Sequence, residues 1–221
     1  MSPLRLNSQC ECQNLRMSRE PLPDGTSDDE LVARVAGGDS LAFTALFRRR
    51  QADVYRVALL MTGSVTAAED VTQDVFLAVM RDAKRFESGR ASVAAWLCGI
   101  ARNHAHRRLD HDRRTVQLPE SPESTQPSGV VTPDPLGDLS NAEEIEALRR
   151  AVLSLPIRYR EVVVLCDLQD LSYDEAASAL ECAVGTVRSR LHRGRALLEA
   201  KMRARLAPRE PVTKRGTRCL A

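Results

Sequence analysis

Proline is absent from residues 24–118, and five of the eleven prolines (Pro119, Pro122, Pro127, Pro133, Pro135) then fall within Thr115–Ser140. Proline fixes φ and lacks the backbone donor that helix and sheet interiors require. Clustered with Ser, Thr and Gly and with no aromatic residue, it leaves that stretch nothing from which to build a core. The chain therefore divides into two folded segments joined by a flexible strap. The strap's composition favours an extended, partly polyproline-like path, long enough to let the flanking domains sit far apart. Residues 116–140 carry four acids (Glu120, Glu123, Asp134, Asp138) and no Lys or Arg.

The first segment reads as helical throughout. Phe43, Phe47, Val54, Val57 and Met61 recur at spacings of three, four and seven, which aligns them along one face of a long helix ended by Gly63-Ser64. A second helix spans about Thr66–Ala83 with Ala68, Val71, Val75 and Val79 inward. A third spans about Ser92–Arg113 with Trp96, Leu97, Ile100 and Ala101 inward. A shorter helix, Asp28–Ala36, precedes them and stops at Gly37-Gly38. No stretch alternates with period two, so no sheet is expected.

In the second segment Asn141 reads as the cap of a helix over Ala142–Leu153, and Pro156 begins another that runs to about Cys166. Ser172 and Glu175 form a capping-box pattern ahead of Tyr173–Leu180. After Glu181-Cys182-Ala183 a long helix opens in which Val184, Val187, Leu191 and Leu198 share one face. Gly185, Ser189, His192 and Arg193 lie opposite. Two helices joined by a tight turn, the second basic at its start, fit a helix-turn-helix. The fold class expected is all-α, with a disordered tail over 1–27, a helical bundle over 28–114, the strap over 115–140, a helix-turn-helix domain over 141–206 and a disordered basic tail over 207–221.

The net charge of +2 conceals two basic stretches. Residues 184–221 hold eleven Lys or Arg against two acids, and residues 81–114 hold nine against four. Two cationic surfaces in tandem suit a polyanion contacted at two places, since each neutralised phosphate releases counterions. A solvated arginine face is the plainer alternative for either one alone. A recognition helix needs small residues at its start, where backbone approaches phosphate, and then side chains that reach base edges. Gly185 and Thr186 followed by Arg188, Ser189, Arg190, His192 and Arg193 meet that need.

The stretch from Leu171-Ser-Tyr through Gly185-Thr-Val-Arg-Ser-Arg-Leu191 resembles region four of bacterial sigma factors, particularly the extracytoplasmic-function (ECF) group. Upstream, three stretches resemble region two of that group: Asp29-Glu-Leu-Val-Ala-Arg-Val-Ala-Gly-Gly-Asp39, Ala68-Glu-Asp-Val-Thr-Gln-Asp-Val-Phe-Leu77, and Ala95-Trp-Leu-Cys-Gly-Ile-Ala-Arg-Asn103. Both halves come in the family's order, and together they cover Asp28 to about Arg205. Glu181 and Ala183 stand where the family usually has Gly and Pro, and Met80 replaces a common Trp.

The resemblance implies a promoter-specificity subunit that binds core RNA polymerase and promoter DNA and initiates transcription. It also leads to the expectation of an anti-sigma partner. Glu69, Asp70, Gln73 and Asp74 form a patch stacked at i,i+4, where like charges mildly destabilise a helix until a cation relieves them; the resemblance assigns this patch to core polymerase. The loop from Arg85 to Ser92 has one aromatic, one Gly and polar groups suited to pocketing an extruded base. The resemblance gives Phe86, Ser88 and Arg90 of that loop the minus-ten element, with Arg102, Asn103, Arg107 and Arg108 lining the same DNA. Trp96 reads as core, and a core role for Phe86 is the alternative.

Six cysteines without zinc-site spacing, and His104 and His106 two apart on one helix and so facing different ways, give no metal site. Cys98, Cys166 and Cys182 read as small hydrophobes. No glycine-rich phosphate loop, nucleophile elbow or isolated carboxylate pair is present, so neither an enzyme nor a cofactor is expected. No apolar run approaches the ~18–20 residues of a membrane span, and no secretory signal opens the chain, which points to the cytoplasm without membrane insertion. Met17 offers a second start besides Met1. The rival reading is a stand-alone helix-turn-helix regulator acting as a dimer.

Overall fold

The computed structural model describes residues 25–115 and 139–206. Among these residues there are eight α-helices and no strand. Residues 116–138 of the strap, with its four acids, residues 1–24 and the tail over 207–221 lie outside the described residues; the end of the expected N-terminal tail is ordered instead, with Thr26 buried and Ser27 capping the first helix.

Helix α1 (Asp28–Ala36) is capped by the Ser27 hydroxyl and carries Asp28, Asp29 and Glu30 in its first turn, where the helix dipole favours negative charge. Asp28 reaches across to Arg49 at 2.6 Å on α2 (Ser40–Thr62). Asp39 closes the corner between these helices: its carboxylate accepts from the Leu41 amide at 2.9 Å and from Arg34 Nε at 2.7 Å. Helix α2 ends at Gly63 in the left-handed conformation (φ 78°), which glycine adopts without a Cβ penalty. Ser64 then caps α3 (Val65–Asp82). A 3-10 turn (Ala83–Arg85) and a loop lead to α4 (Val93–Thr115).

Val54, Val57 and Met61 of α2, Ala68, Val71, Val75 and Val79 of α3, and Leu97 and Ala101 of α4 are buried together, as their periodicity predicts. Phe43 and Phe47 are only half-buried. They turn toward Phe76, with ring centroids 6.3 and 4.7 Å away, at one end of the α2–α3 seam.

Helix α5 (Leu139–Leu153) opens two residues before Asn141, inside the stretch expected as strap. Asn141 therefore lies in its first turn and does not cap it. Pro135 is the last proline before this helix, so nothing in the backbone prevents the earlier start. Pro156 precedes α6 (Ile157–Val163), which continues as a π-turn over Val164–Leu168. Ser172 and Glu175 make the capping box of α7 (Tyr173–Ala179) with both reciprocal bonds present. Helix α8 (Val184–Leu206) crosses α6 closely at Gly194, where a Cβ would stand 2.8 Å from Val163 Cγ2 and 3.3 Å from the Tyr159 carbonyl.

The two halves are not held apart. Val152, Leu155, Val162, Val163 and Leu165 belong to the same buried cluster as the α2, α3 and α4 residues. Helix α7 lies along α4, and α5 meets the end of α2. Composition gives the strap its reach but says nothing of the apolar faces that the halves turn to each other, and burial of those faces decides the arrangement.

Candidate nucleic-acid interface

Helix α8 presents its basic face outward. Val187 and Leu191 are buried against α6 and α7, which fixes the rotation of the helix. Gly185, Arg188, Ser189, His192 and Arg193 are consequently exposed, while Thr186 and Arg190 are partly covered. Nothing lies within 4 Å of a Cβ built at Gly185, so the first turn is open to close approach of a backbone or phosphate. The Ser189 hydroxyl donates to the Thr186 carbonyl at 3.0 Å, and the Arg188 guanidinium stands 5.7 Å from the Tyr173 ring centroid, within cation–π range. The turn before α8 places Glu181 at φ 51°, in the left-handed region where the resembled family usually has Gly. The helix still leaves that turn with Arg188 and Arg193 facing solvent.

The loop after α3 is tied to α1 through Ser88 and braced within itself. The Ser88 hydroxyl donates to the Asp29 carboxylate on α1, and Arg90 meets Glu87 at 3.3 Å. Phe86 packs on Trp96 with centroids 5.1 Å apart, and both rings are half-buried. They line a cleft of about 490 Å³ together with Arg90 and Asn103. The opposite wall comes from the second half: Ser178, Ala179 and Glu181. Trp96, read as core, does pack against the buried cluster, and its remaining surface forms part of the cleft wall beside the loop.

Helix α4 divides the basic residues assigned to it. Asn103 and Arg107 are exposed. Arg102 donates from Nε to Glu161 Oε1 at 2.9 Å and from a terminal nitrogen to Asn103 Oδ1 at 3.1 Å. Arg108 donates to Asp70 at 3.1 Å and lies 3.4 Å from Asp112. Arg108 is therefore spent in part on the acidic patch. The same contacts alter the reading of that patch, because Asp70 has the Arg108 cation and Asp74 has the His104 ring at 3.4 Å as partners from within the chain. Glu69 and Gln73 instead rim an apolar groove of about 650 Å³ between α2 and α3, floored by Phe43, Phe47 and Phe76. Leu77 and Met80 stand 53% and 58% exposed at its edge. An apolar floor with a carboxylate at its rim and two exposed large hydrophobics has the character of surfaces that other proteins cover.

Several residues that order this site were not singled out by sequence. Glu161 is 4% exposed and holds both Arg102 and His106 of α4. Burial pushes its carboxyl up, but the His106 hydrogen bond and the Arg102 charge outweigh that and keep it below its ordinary value. Arg160 crosses to the end of α2, donating to the Met61 carbonyl at 2.8 Å and also to the Leu153 and Leu155 carbonyls. Glu175 is held below its ordinary value by hydrogen bonds from Ser92, at the start of α4, and from Ser172. The signal available in sequence was a carboxylate embedded in an apolar helical run, Glu161-Val-Val-Val-Leu165. His104 and His106 face different ways, as their spacing predicts, toward Asp74 and Glu161. Burial pushes the Cys98 thiol up to about 12 and Cys166 up to about 11, consistent with their packing role.

The family described as Sigma-70 region 2 matches residues 46–115, and that described as Sigma-70, region 4 matches residues 145–198. The ECF RNA polymerase sigma factor SigM of Mycobacterium tuberculosis is 36% identical over 173 residues, covering 78% of this chain and 83% of SigM. The ECF RNA polymerase sigma factor SigE of Mycolicibacterium smegmatis is 35% identical over 165 residues, which is 72% of this chain but 62% of SigE. Among solved structures, the sigma factor RpoE in complex with the anti-sigma factor NepR from Bartonella quintana aligns with TM-score 0.61 and 26% identity, over 73% of this chain and 96% of that one.

Proposed function

The chain belongs to the ECF sigma factors of bacterial RNA polymerase, and from that premise we propose how its surfaces divide the work. Residues 28–114 bind core polymerase through Glu69, Asp70, Gln73 and Asp74. The same domain captures an extruded base of the minus-ten element between Phe86, Ser88 and Arg90, with Asn103, Arg102, Arg107 and Arg108 along the adjoining strand. Residues 141–206 read the minus-thirty-five element through α8: Gly185 and Thr186 let a phosphate approach, and Arg188, Ser189, Arg190, His192 and Arg193 reach base edges or flanking phosphates.

The observation that carries this reading is the pairing of an outward basic face on α8 with a separate aromatic cleft on the first half, in a chain matched by both sigma regions in order. A stand-alone helix-turn-helix regulator uses only α6–α8 and leaves the region-two match over residues 46–115 without a role. The chain is no enzyme by itself, since phosphoryl transfer stays with the polymerase, and it works in the cytoplasm. No helix among the described residues is long and apolar enough to cross a membrane. An anti-sigma partner fits the α2–α3 groove and its acidic rim, in keeping with the anti-sigma factor bound to the RpoE relative.

The test is reconstitution of transcription with core polymerase on a promoter library randomised at both elements. A defined promoter subset is expected. Arg188→Ala and Arg193→Ala are each expected to lose initiation where the upstream element is needed, by ~1–3 kcal/mol at one base pair for a side chain that reads a guanine and evenly across sequences for one that meets a phosphate. Equal use of every promoter by parent and variants overturns the assignment of α8.

A further inference from the structure

The loop assigned to the minus-ten base is framed from α1 as well as from α4. Phe86 at its start packs on Trp96, and the Arg90 amide donates to the Glu87 carbonyl at 3.2 Å, closing a turn in which Gly89 takes the left-handed region at φ 88°. Ser88 is exposed in that turn, and its hydroxyl donates to Oδ2 of Asp29, 59 positions earlier in the first turn of α1. Helix α1 also lies against the 3-10 turn that leads into the loop. Neighbouring acids of α1 differ in what they hold. Asp28 pairs with Arg49 and Arg50 of α2. Asp29 has no ion pair among the described residues, and Ser88 is the side chain that meets its carboxylate.

We propose that Asp29 is a positioning residue for base selection. By taking the Ser88 proton it pins the loop to α1 and presents the Ser88 oxygen to the extruded base as an acceptor, which selects an amino base (cytosine or adenine) over a keto base (thymine or guanine).

The chemistry follows from the donor count. A serine hydroxyl has one proton and two acceptor lone pairs, and a carboxylate only accepts, so the proton of this bond is Ser88's. Once that proton is given to Asp29, Ser88 can meet a base only by accepting. Cytosine and adenine carry an exocyclic amine where thymine and guanine carry a carbonyl oxygen, and an extruded base is read on that edge. Amine against the Ser88 oxygen makes a hydrogen bond, whereas carbonyl oxygen against it leaves two acceptors facing each other. A serine without Asp29 turns its hydroxyl to suit either base and loses the distinction. Pinning also orders the loop before the base arrives, which reduces the entropy lost on capture. One hydrogen bond of this kind is worth roughly three- to tenfold in preference.

This inference rests on the assignment of the loop to the minus-ten base, and the experiment separates the two. The full-length parent, Asp29→Ala, Asp29→Asn, Ser88→Ala and the double variant Asp29→Ala with Ser88→Ala each initiate with core polymerase on the promoter library, and the base preference at every minus-ten position is compared. At one position the parent is expected to favour amino over keto bases roughly three- to tenfold. Ser88→Ala and Asp29→Ala should each lose that preference there and nowhere else, and the double variant should lose no more. Asp29→Asn keeps a carbonyl acceptor for the Ser88 proton and should retain it. Deoxyuridine at that position, which lacks the methyl group of thymine, should be rejected against cytosine as thymine is. Asp29→Ala that keeps a preference lost in Ser88→Ala overturns the proposal, as does an even loss of initiation on all bases, which a merely structural role produces. Asp29→Asn as impaired as Asp29→Ala overturns the hydrogen bond in favour of charge. Ser88→Ala with the parent's preferences at every position overturns the assignment of Ser88 to the base, and this inference with it. Failure of the parent to initiate with core polymerase overturns the sigma reading itself.

Discussion

Arg102 on α4 donates from Nε to Glu161 Oε1 on α6 at 2.9 Å, across the boundary between halves that the family descriptions treat as separate regions. Glu161 is buried and Arg102 partly so, with side-chain exposures of 4% and 22%. Removing one member of a buried pair leaves the other uncompensated, which costs about 3–5 kcal/mol when both are fully enclosed and less when water reaches one of them. Glu161→Ala is therefore expected to lower unfolding stability by about 3 kcal/mol. A double-mutant cycle with Arg102→Ala should return a coupling of ~1–3 kcal/mol by urea titration. Additive losses mean the two side chains are neighbours without being partners.

The same carboxylate gives a pH dependence of definite sign. Glu161 and Glu175 are both lowered from the ordinary value of 4.5 in the folded chain: Glu161 because His106 and Arg102 outweigh its burial, Glu175 through hydrogen bonds from Ser92 and Ser172. A depressed carboxyl adds stability that is complete above its unfolded value and is lost as pH falls through the folded one. The thermal midpoint should consequently hold from neutral pH to about pH 5 as far as these two groups are concerned, and fall in more acid solution. Glu161→Gln should shallow that acid limb. An unchanged acid slope in the variant means Glu161 carries none of it.

The helices were legible in sequence because each carries its own punctuation. Gly37-Gly38, Gly63-Ser64, Pro156 and the Ser172–Glu175 box all sit at helix ends in the structure. The outward face of α8 was equally legible, since Val187 and Leu191 fix its rotation. The contact between halves was not. It depends on Gly99 meeting Ala179, on Glu161 pairing 55 and 59 positions away with His106 and Arg102, and on Arg160 reaching the Met61 carbonyl. Periodicity reports which face of a helix is apolar and is silent about which distant face covers it. The acidic patch was found as a cluster, but its division into a groove rim (Glu69, Gln73) and an internally paired row (Asp70, Asp74) needed the position of α4.

Two glycines of α8 should respond oppositely to alanine. Gly185 has open space around its built Cβ, so Gly185→Ala gains helix propensity and is expected to stabilise the chain by about 0.5 kcal/mol near a helix end. It should weaken promoter use, because the methyl group stands where phosphate approaches. Gly194→Ala puts a methyl group 2.8 Å from Val163 Cγ2 and 3.3 Å from the Tyr159 carbonyl. The overpacking cost of ~1–3 kcal/mol exceeds the propensity gain of ~1 kcal/mol, so a net loss is expected. Denaturation midpoints and promoter titrations of the two variants check both signs, and a stabilised Gly194→Ala means α6 and α8 cross less tightly than the structure has them.

The acidic row on α3 can be tested without disturbing the fold, because its ion pairs are exposed. Asp70 and Arg108 are 48% and 42% accessible in their side chains, and Asp74 is 56% accessible beside His104. Exposed pairs of this kind contribute ~0–1 kcal/mol, so Asp70→Lys with Asp74→Lys should move the urea midpoint little. If core polymerase offers a cationic surface here, as the sigma reading holds, reversal replaces attraction by repulsion and affinity should fall by tenfold or more, roughly 1.4 kcal/mol. Asp70→Asn separates two ways of losing affinity. It releases Arg108 without adding a positive charge, so a loss nearly as large as that of Asp70→Lys identifies the Asp70 carboxylate as the contact, whereas a small loss identifies repulsion of a cationic surface nearby. Glu199→Lys on α8, exposed and far along the chain, is the charge control. Competition of each variant with labelled parent for core polymerase, read across salt concentrations, gives the comparison. Equal affinity of the double reversal and the control removes core binding from this face of α3 and leaves the apolar groove beside it as the remaining docking surface.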